Sequence, residues 1–185
     1  DGGFGIFIVA REQDGVEITM LKTIGSDKQA EVVLNNVKVS ATDTLTVDTS
    51  KMGRVRNMGT SLECSYLVGL AQKDFEISID YAKERVQFGR PIGSFQAIQH
   101  KAADMVTDVD GMRFITYKAA WATSENGESQ DMDVAMAKAW CSDASRRVVA
   151  HGQQIHGGIG FTKDYIIQLY FRRQKRAELF WGDAD

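Results

Sequence analysis

Hydrophobic and polar positions change their spacing near residue 50, and the chain divides there. Before that point, short β-branched runs alternate with turn signals: Phe4 to Ala10, Val16 to Leu21 after Asp14-Gly15, Ala30 to Leu34, and Val37 to Val39 after Asn35-Asn36. Runs of this length bounded by Gly, Asn and Asp predict a small antiparallel sheet. Three or four strands in about 40 residues are marginal alone, so they are expected to belong to a larger sheet. Residues 40–53 read as a polar connection.

Beyond it the pattern is helical. From Met58 to Arg85 apolar positions recur at Leu62, Tyr66, Gly69, Leu70 and Ile77, with a second row at Leu67, Ala71, Phe75 and Ala82. Two rows predict one helix with a wide buried face, ended or followed by Pro91. A second helix carries Ile98, Met105, Met112 and Ala119 seven apart, interleaved with Ala102, Val109, Thr116 and Thr123. After a polar loop from Ser124 to Gln130 and a cap at Asp131, a third sets Val134, Cys141, Val148 and Ile155 against Ala137, Ala144 and His151. A fourth runs from Thr162 to Trp181. Seven-residue seams with short links predict an antiparallel up-and-down four-helix bundle. The fold class is therefore α+β: residues 1–50 a remnant of a truncated β-domain, residues 51–185 the bundle.

Composition narrows the partners. At 185 residues and 43% hydrophobic, the chain can bury a core. A net charge of -3, from 22 basic and 25 acidic residues, gives no electrostatic reason to expect nucleic acid or an anionic membrane. Cys64 and Cys141 stand apart from each other and from any Cys/His spacing, so neither a disulfide framework nor a zinc site is indicated, and a reducing compartment is expected. No stretch approaches the roughly 20 apolar residues that span a bilayer. The strand that opens the chain directly, with no methionine, reads as a piece of a longer protein.

Two segments carry candidate chemistry. Arg85-Val86-Gln87-Phe88-Gly89-Arg90 leads straight into Pro91-Ile92-Gly93 and a new helix, making a tight basic corner. Arg85 and Arg90 suit a phosphate clamp, since guanidinium offers paired donors, and Phe88 offers a ring for stacking. Spacing alone favours a solvated helix end with basic residues facing the dipole. Gln154-Ile155-His156-Gly157-Gly158-Ile159-Gly160-Phe161 lets backbone N–H groups approach a ligand closely, or is a plain interhelical turn. The histidines carry no metal signature: His151 falls on the apolar seam and His156 within the glycine run. The Arg172 to Arg176 stretch reads as a solvated or intersubunit face.

Together, the two segments resemble the C-terminal helical domain of the acyl-CoA dehydrogenase family, through Arg85, Phe88-Gly89-Arg90-Pro91-Ile92, Phe95-Gln96, Ile98-Gln99, Lys101, Ala103-Asp104-Met105 and Gln154 to Thr162. Gly25 to Val39 is similar to the family's last middle-domain strands, so the resemblance spans nearly the whole chain. It implies FAD as cofactor, held between subunits of a homo- or hetero-tetramer. Arg85 and Phe88 would contact its pyrophosphate and adenine side, and Gln154, Gly157 and Gly158 its adenosine part. It also implies an acyl-CoA substrate, α,β-dehydrogenation, electrons passed to an electron-transfer flavoprotein, and the cytoplasm or the mitochondrial matrix. Lacking most of the middle-domain strands, the segment alone is expected not to bind FAD.

The departures concern the base. The family commonly carries a basic residue five positions after Asp164 and an acidic one four later, where this chain has Leu169 and Arg173. Where many members end the last helix in Glu-Gly-Thr, this chain reads Trp181-Gly182-Asp183. Members that place the glutamate early in the first bundle helix align it with Gly59. Glu63, one turn along, and Asp183 are the candidate catalytic carboxylates; Thr60-Ser61-Leu62-Glu63 also reads as a capping box, which favours a structural Glu63. The expected activity is an FAD-dependent acyl-CoA dehydrogenase. The alternatives are a non-catalytic partner subunit of a heteromeric enzyme, a flavin monooxygenase or nitroalkane-oxidase relative, and an interaction module without flavin.

Overall fold

The computed structural model describes residues 5–47 and 49–182. The chain separates into two units, Asp1–Arg56 and Asn57–Asp185.

In the first unit, β1 (Gly5–Phe7) pairs antiparallel with β4 (Thr44–Thr46), and β2 (Val16–Leu21) with β3 (Gln29–Leu34) in the register Val16↔Leu34 to Leu21↔Gln29. The expected strand at Val37–Val39 is absent. Asn36 takes a left-handed φ of 52°, and the Lys38 carbonyl accepts from Gln13 Nε2 (2.5 Å) instead of joining a ladder. The supposed polar connection contains β4 instead. The apolar side chains of this unit stay open, Phe7, Ile8, Met20, Val32 and Leu34 each more than half exposed, as expected of strands whose companions lie elsewhere.

The second unit is built on α1 (Thr49–Glu84), α2 (Gln96–Glu125), α3 (Gln130–His156) and α4 (Ile167–Leu179). Met105, Val109, Met112 and Ala119 of α2 meet Val134, Ala137, Cys141, Ala144 and Val148 of α3, with Cys64, Leu67 and Ala71 of α1 and Ala177 of α4, in one core. The seven-residue seams predicted for α2 and α3 are the ones that pack, as 3.5-residue spacing requires. In α1 the seam runs through Thr60, Cys64, Leu67, Ala71, Asp74, Ser78 and Ala82, all buried, whereas Leu62 and Tyr66 of the expected first row face outward at 70% and 43% exposure. Leu67, Ala71 and Ala82 belong to the expected second row, whereas the polar Thr60, Asp74 and Ser78 escaped a hydrophobic count. His151 is only half-buried, at the α2–α3 edge near Asp104, Asp108 and Arg147.

Helix ends follow local chemistry. Asn126 closes α2 in a left-handed conformation, its N–H on the Ala122 carbonyl. Ser129, not Asp131, flanks the start of α3; its hydroxyl donates to Asp133 Oδ2 (2.9 Å). Asp131 instead accepts from Asn57 of α1 (2.5 Å), and Asp133 takes Lys118 of α2 (2.8 Å). Thr162 does not open α4. Its N–H and hydroxyl both donate to the Ile159 carbonyl, closing the 3-10 turn Gly157–Phe161.

Candidate functional site

After α1, Val86–Gln87 (β5) pairs with Arg90–Pro91 (β6) around Phe88-Gly89. Both turn residues have positive φ, 54° and 80°, the geometry a two-residue hairpin turn demands. Gly89 adopts it freely; a bulky side chain there costs about 1 kcal/mol or more. Phe88 does so while 92% exposed, touching only the edge of Phe95 among aromatic rings (6.1 Å). Arg90 lies over the Phe95 ring at 4.1 Å, and Arg85 is exposed. The hairpin thus presents an aromatic ring flanked by guanidinium groups, with little packing inside this chain to explain it.

The second feature is a cavity of about 640 Å³ where α3 gives way to the 3-10 turn and α4. Gln153, Gln154, Gly157, Gly158, Phe161, Lys163 and Arg172 are among its lining residues. Gly157 has φ 62°, and a Cβ built on Gly157 or Gly158 meets nothing within 4 Å, so bare backbone faces the open space. The Oε1 of Gln153 is buried there without a partner among the described residues, an acceptor that favours a donor from outside the chain. His156 backs this corner. Its Nδ1–H donates to the Gly152 carbonyl (2.8 Å), its ring stacks on Tyr81 (4.4 Å), and burial lowers its pKa, keeping it neutral. Gln154, Gly157 and Gly158 therefore share one cavity, while Arg85 and Phe88 stand on the separate hairpin.

The third feature lies between α1 and α4. Trp181 folds its indole onto Gly59: a Cβ built on Gly59 would sit 2.8 Å from Cζ2 and 3.0 Å from Cε2 of the ring. The two residues that the family resemblance aligns with a base, Gly59 and Trp181, are thus in contact, one empty of side chain and the other filling the space. Beside them, Glu63 is not a capping residue, because α1 begins at Thr49 and Thr60 lies deep within it. Glu63 instead accepts from Arg176 of α4 (2.8 Å), with 11% of its side chain exposed. Burial raises its pKa and the Arg176 charge opposes that rise. Arg176 also covers the Phe180 ring (4.3 Å), and Phe180 meets Trp181 edge-on (5.4 Å). Asp183 lies outside the described residues.

Two further polar groups escaped the sequence reading. Asp74, fully buried on α1, is bonded only weakly by Ser78 (3.5 Å) and has one oxygen without a partner among the described residues; burial pushes its pKa up to about 8. Lys138, 3% exposed on α3, reaches the end of α4. A charge beside seam positions 134, 137 and 141 was the available signal, and Asp74 sat in the same way on α1.

Comparison with known proteins agrees with this architecture. Residues 52–185 match the family model described as acyl-CoA dehydrogenase, C-terminal domain. The chain is 32% identical to the acyl-CoA dehydrogenase FadE27 of Mycobacterium tuberculosis over 191 aligned positions, covering 100% of this chain and 51% of the relative. Among solved structures, butyryl-CoA dehydrogenase from Megasphaera elsdenii superposes with a TM-score of 0.89 at 29% identity, over 98% of this chain and 49% of that one. The ChsE4-ChsE5 complex from Mycobacterium tuberculosis gives 0.87 at 33%, over 96% and 48%. The chain spans about half the length of the curated relatives it matches. No helix among the described residues is long and apolar enough to cross a membrane.

Proposed function

Because the chain belongs to the acyl-CoA dehydrogenase family, we propose that it serves FAD-dependent α,β-dehydrogenation of an acyl-CoA thioester as a subunit that completes a flavin site without supplying the base. The observation that carries this reading is the indole of Trp181 on Gly59. Removing an α-proton needs a positioned acceptor. Tryptophan has none, and among the described residues the carboxylate beside it, Glu63, is tied to Arg176.

The residues present suit FAD. Side-chain-free backbone at Gly157 and Gly158, the unpartnered Gln153 oxygen and the cationic Lys163 and Arg172 favour an adenosine and its phosphates in the cavity. Gln154 would line the same cavity, while Phe88 offers a face for a ring and Arg85 a fork for phosphate oxygens, both pointing away from this chain's own core. A cofactor shared between neighbouring subunits of a tetramer accounts for that outward presentation. When bound, FAD supplies the acceptor for the hydride leaving the β-carbon, and an electron-transfer flavoprotein would take the electrons onward. The cytoplasm or the mitochondrial matrix suits two free, buried thiols.

A homomeric dehydrogenase carrying its own base is the second reading, favoured by the raised pKa of Glu63. An anaerobic titration of the full-length protein, purified without partners and loaded with FAD, by a panel of saturated acyl-CoAs separates the two. Flavin that stays yellow despite bound ligand supports the partner-subunit reading. Bleaching would overturn it, and Glu63→Gln would then show whether that carboxylate is responsible.

A further inference from the structure

The last turn of α4 is clamped from outside. Lys138 Nζ donates to the Glu178 carbonyl (2.7 Å), the Gly182 carbonyl (2.6 Å) and Ser142 Oγ (2.8 Å). The final carbonyls of a helix lack partners within it and face the negative end of its dipole, so an ammonium is well placed there. This one is 3% exposed. A buried ammonium is tolerated only where acceptors replace its water, and here two of them come from a single short stretch of chain.

That stretch is Glu178 to Gly182, and it carries strain. Trp181 has φ 65° and Gly182 φ 100°, consecutive left-handed residues. Glycine adopts this freely, but for tryptophan it costs about 1 kcal/mol or more and persists only where the surroundings impose it. With the carbonyls of residues 178 and 182 drawn to one ammonium, the intervening backbone must turn back on itself. The turn swings the indole across to α1, where the missing side chain of Gly59 lets the ring come within contact of the backbone.

We infer that Lys138 is a positioning residue, whose bridge between the Glu178 and Gly182 carbonyls holds Trp181 in its left-handed conformation and keeps the indole seated over Gly59. The inference deepens the reading of that junction as the place where a base would act, and rests on it only for its functional meaning. A buried lysine, a strained tryptophan and a bare glycine lie on three different helices or their ends, and the clamp accounts for all three. So held, the ring covers Gly59 while Trp181 remains 45% exposed.

The test is a variant cycle in the full-length FAD-loaded protein: unaltered, Lys138→Met, Trp181→Phe and the double variant, each read by tryptophan emission and acrylamide quenching. Subtracting each Trp181→Phe spectrum from its parent isolates the Trp181 signal. Lys138→Met is expected to raise the quenching constant of that signal by up to about two-fold, as a ring that is 45% exposed when seated becomes fully accessible, with far-UV circular dichroism and flavin content unchanged. An unchanged Trp181 signal in folded Lys138→Met would overturn the inference. Gly59→Ala keeps the test open should Lys138→Met not fold. With the clamp intact, the indole cannot swing away from the added methyl, so Tm falls by a few degrees; an unchanged Tm with unchanged emission would overturn the inference. This readout is independent of turnover, so the clamp and the partner-subunit reading fail separately: bleaching by acyl-CoA in the unaltered protein refutes only the latter.

Discussion

Glycines in three regions of the bundle have opposite uses. Beyond Gly157 and Gly158 the space is open and adjoins a cavity. Beyond Gly59 it is filled by an indole, and beyond Gly152 by the carboxyl of Asp74, whose Oδ1 lies 2.0 Å from a Cβ built there. The first pair leaves room for something from outside the chain, whereas the other two let neighbouring helices deliver a side chain inward. Absence of a side chain therefore says nothing of function until its neighbours are known, and here the neighbours separate backbone open to a cavity from backbone covered by a side chain.

The comparison is broken most forcefully at Gly152. Alanine is the better helix former by about 1 kcal/mol, yet at Gly152 its methyl would collide with the Asp74 carboxyl and, at 3.0 Å, with Ser78 Oγ. Gly152→Ala is expected to cost about 3 kcal/mol net through overpacking, read by urea denaturation, and an unchanged midpoint would show that Asp74 can move aside. Asp74 itself gives a pH signature. In the native state it keeps its proton up to about pH 8, while the unfolded chain releases it near 3.8. Between those values the unfolded state binds fewer protons, so this group makes stability fall as pH rises, by up to about 1.4 kcal/mol per unit. Asp74→Asn should remove that slope, and its Tm advantage over the unaltered protein should widen from pH 5 to pH 8. A constant difference would mean the carboxyl is ionised throughout.

At the open glycines the effect should fall on binding instead. Gly158→Leu adds bulk to the cavity without touching the core, so flavin content of the purified full-length protein is expected to fall about ten-fold, equivalent to about 1.4 kcal/mol, while its apoprotein melts within a degree or two of the original. Equal flavin loading would place the cofactor elsewhere. The smallest effect is expected at Glu63→Gln, which removes the ion pair with Arg176 but keeps a hydrogen bond; the cost is about 1 kcal/mol in the midpoint of denaturation.

Much of the bundle was legible because α2 and α3 bury Met, Val and Ala at strict seven-residue spacing, and such spacing has one packing solution. The α1 seam was legible only in part: the row Leu67, Ala71 and Ala82 is buried as expected, but Thr60, Asp74 and Ser78 take core positions that a hydrophobic count passes over, while Leu62 and Tyr66 advertise a face that the described structure leaves open. Val37–Val39 misled for a related reason: β propensity is local, but ladder partners are not, and the available edge of β1 went to Thr44–Thr46. Gln154, Gly157 and Gly158, which share one cavity, were singled out by the family resemblance, since their glycine run alone reads equally as an interhelical turn. That Glu63 pairs with Arg176, more than a hundred residues away in sequence, depends on how α4 lies against α1, and no local pattern encodes it. The capping box at Thr60 has the correct spelling in the wrong place, since nothing in those four residues reveals that the helix began at Thr49.

The central claim is that this chain keeps a flavin half-site and has closed the position of the base with Trp181. The most direct test is an anaerobic acyl-CoA titration of the full-length, FAD-loaded protein beside its Trp181→Glu variant, following flavin absorbance. The account predicts that the unaltered protein stays yellow and that Trp181→Glu, which sets a carboxylate over Gly59, bleaches. Bleaching of the unaltered protein with no gain in Trp181→Glu would contradict it.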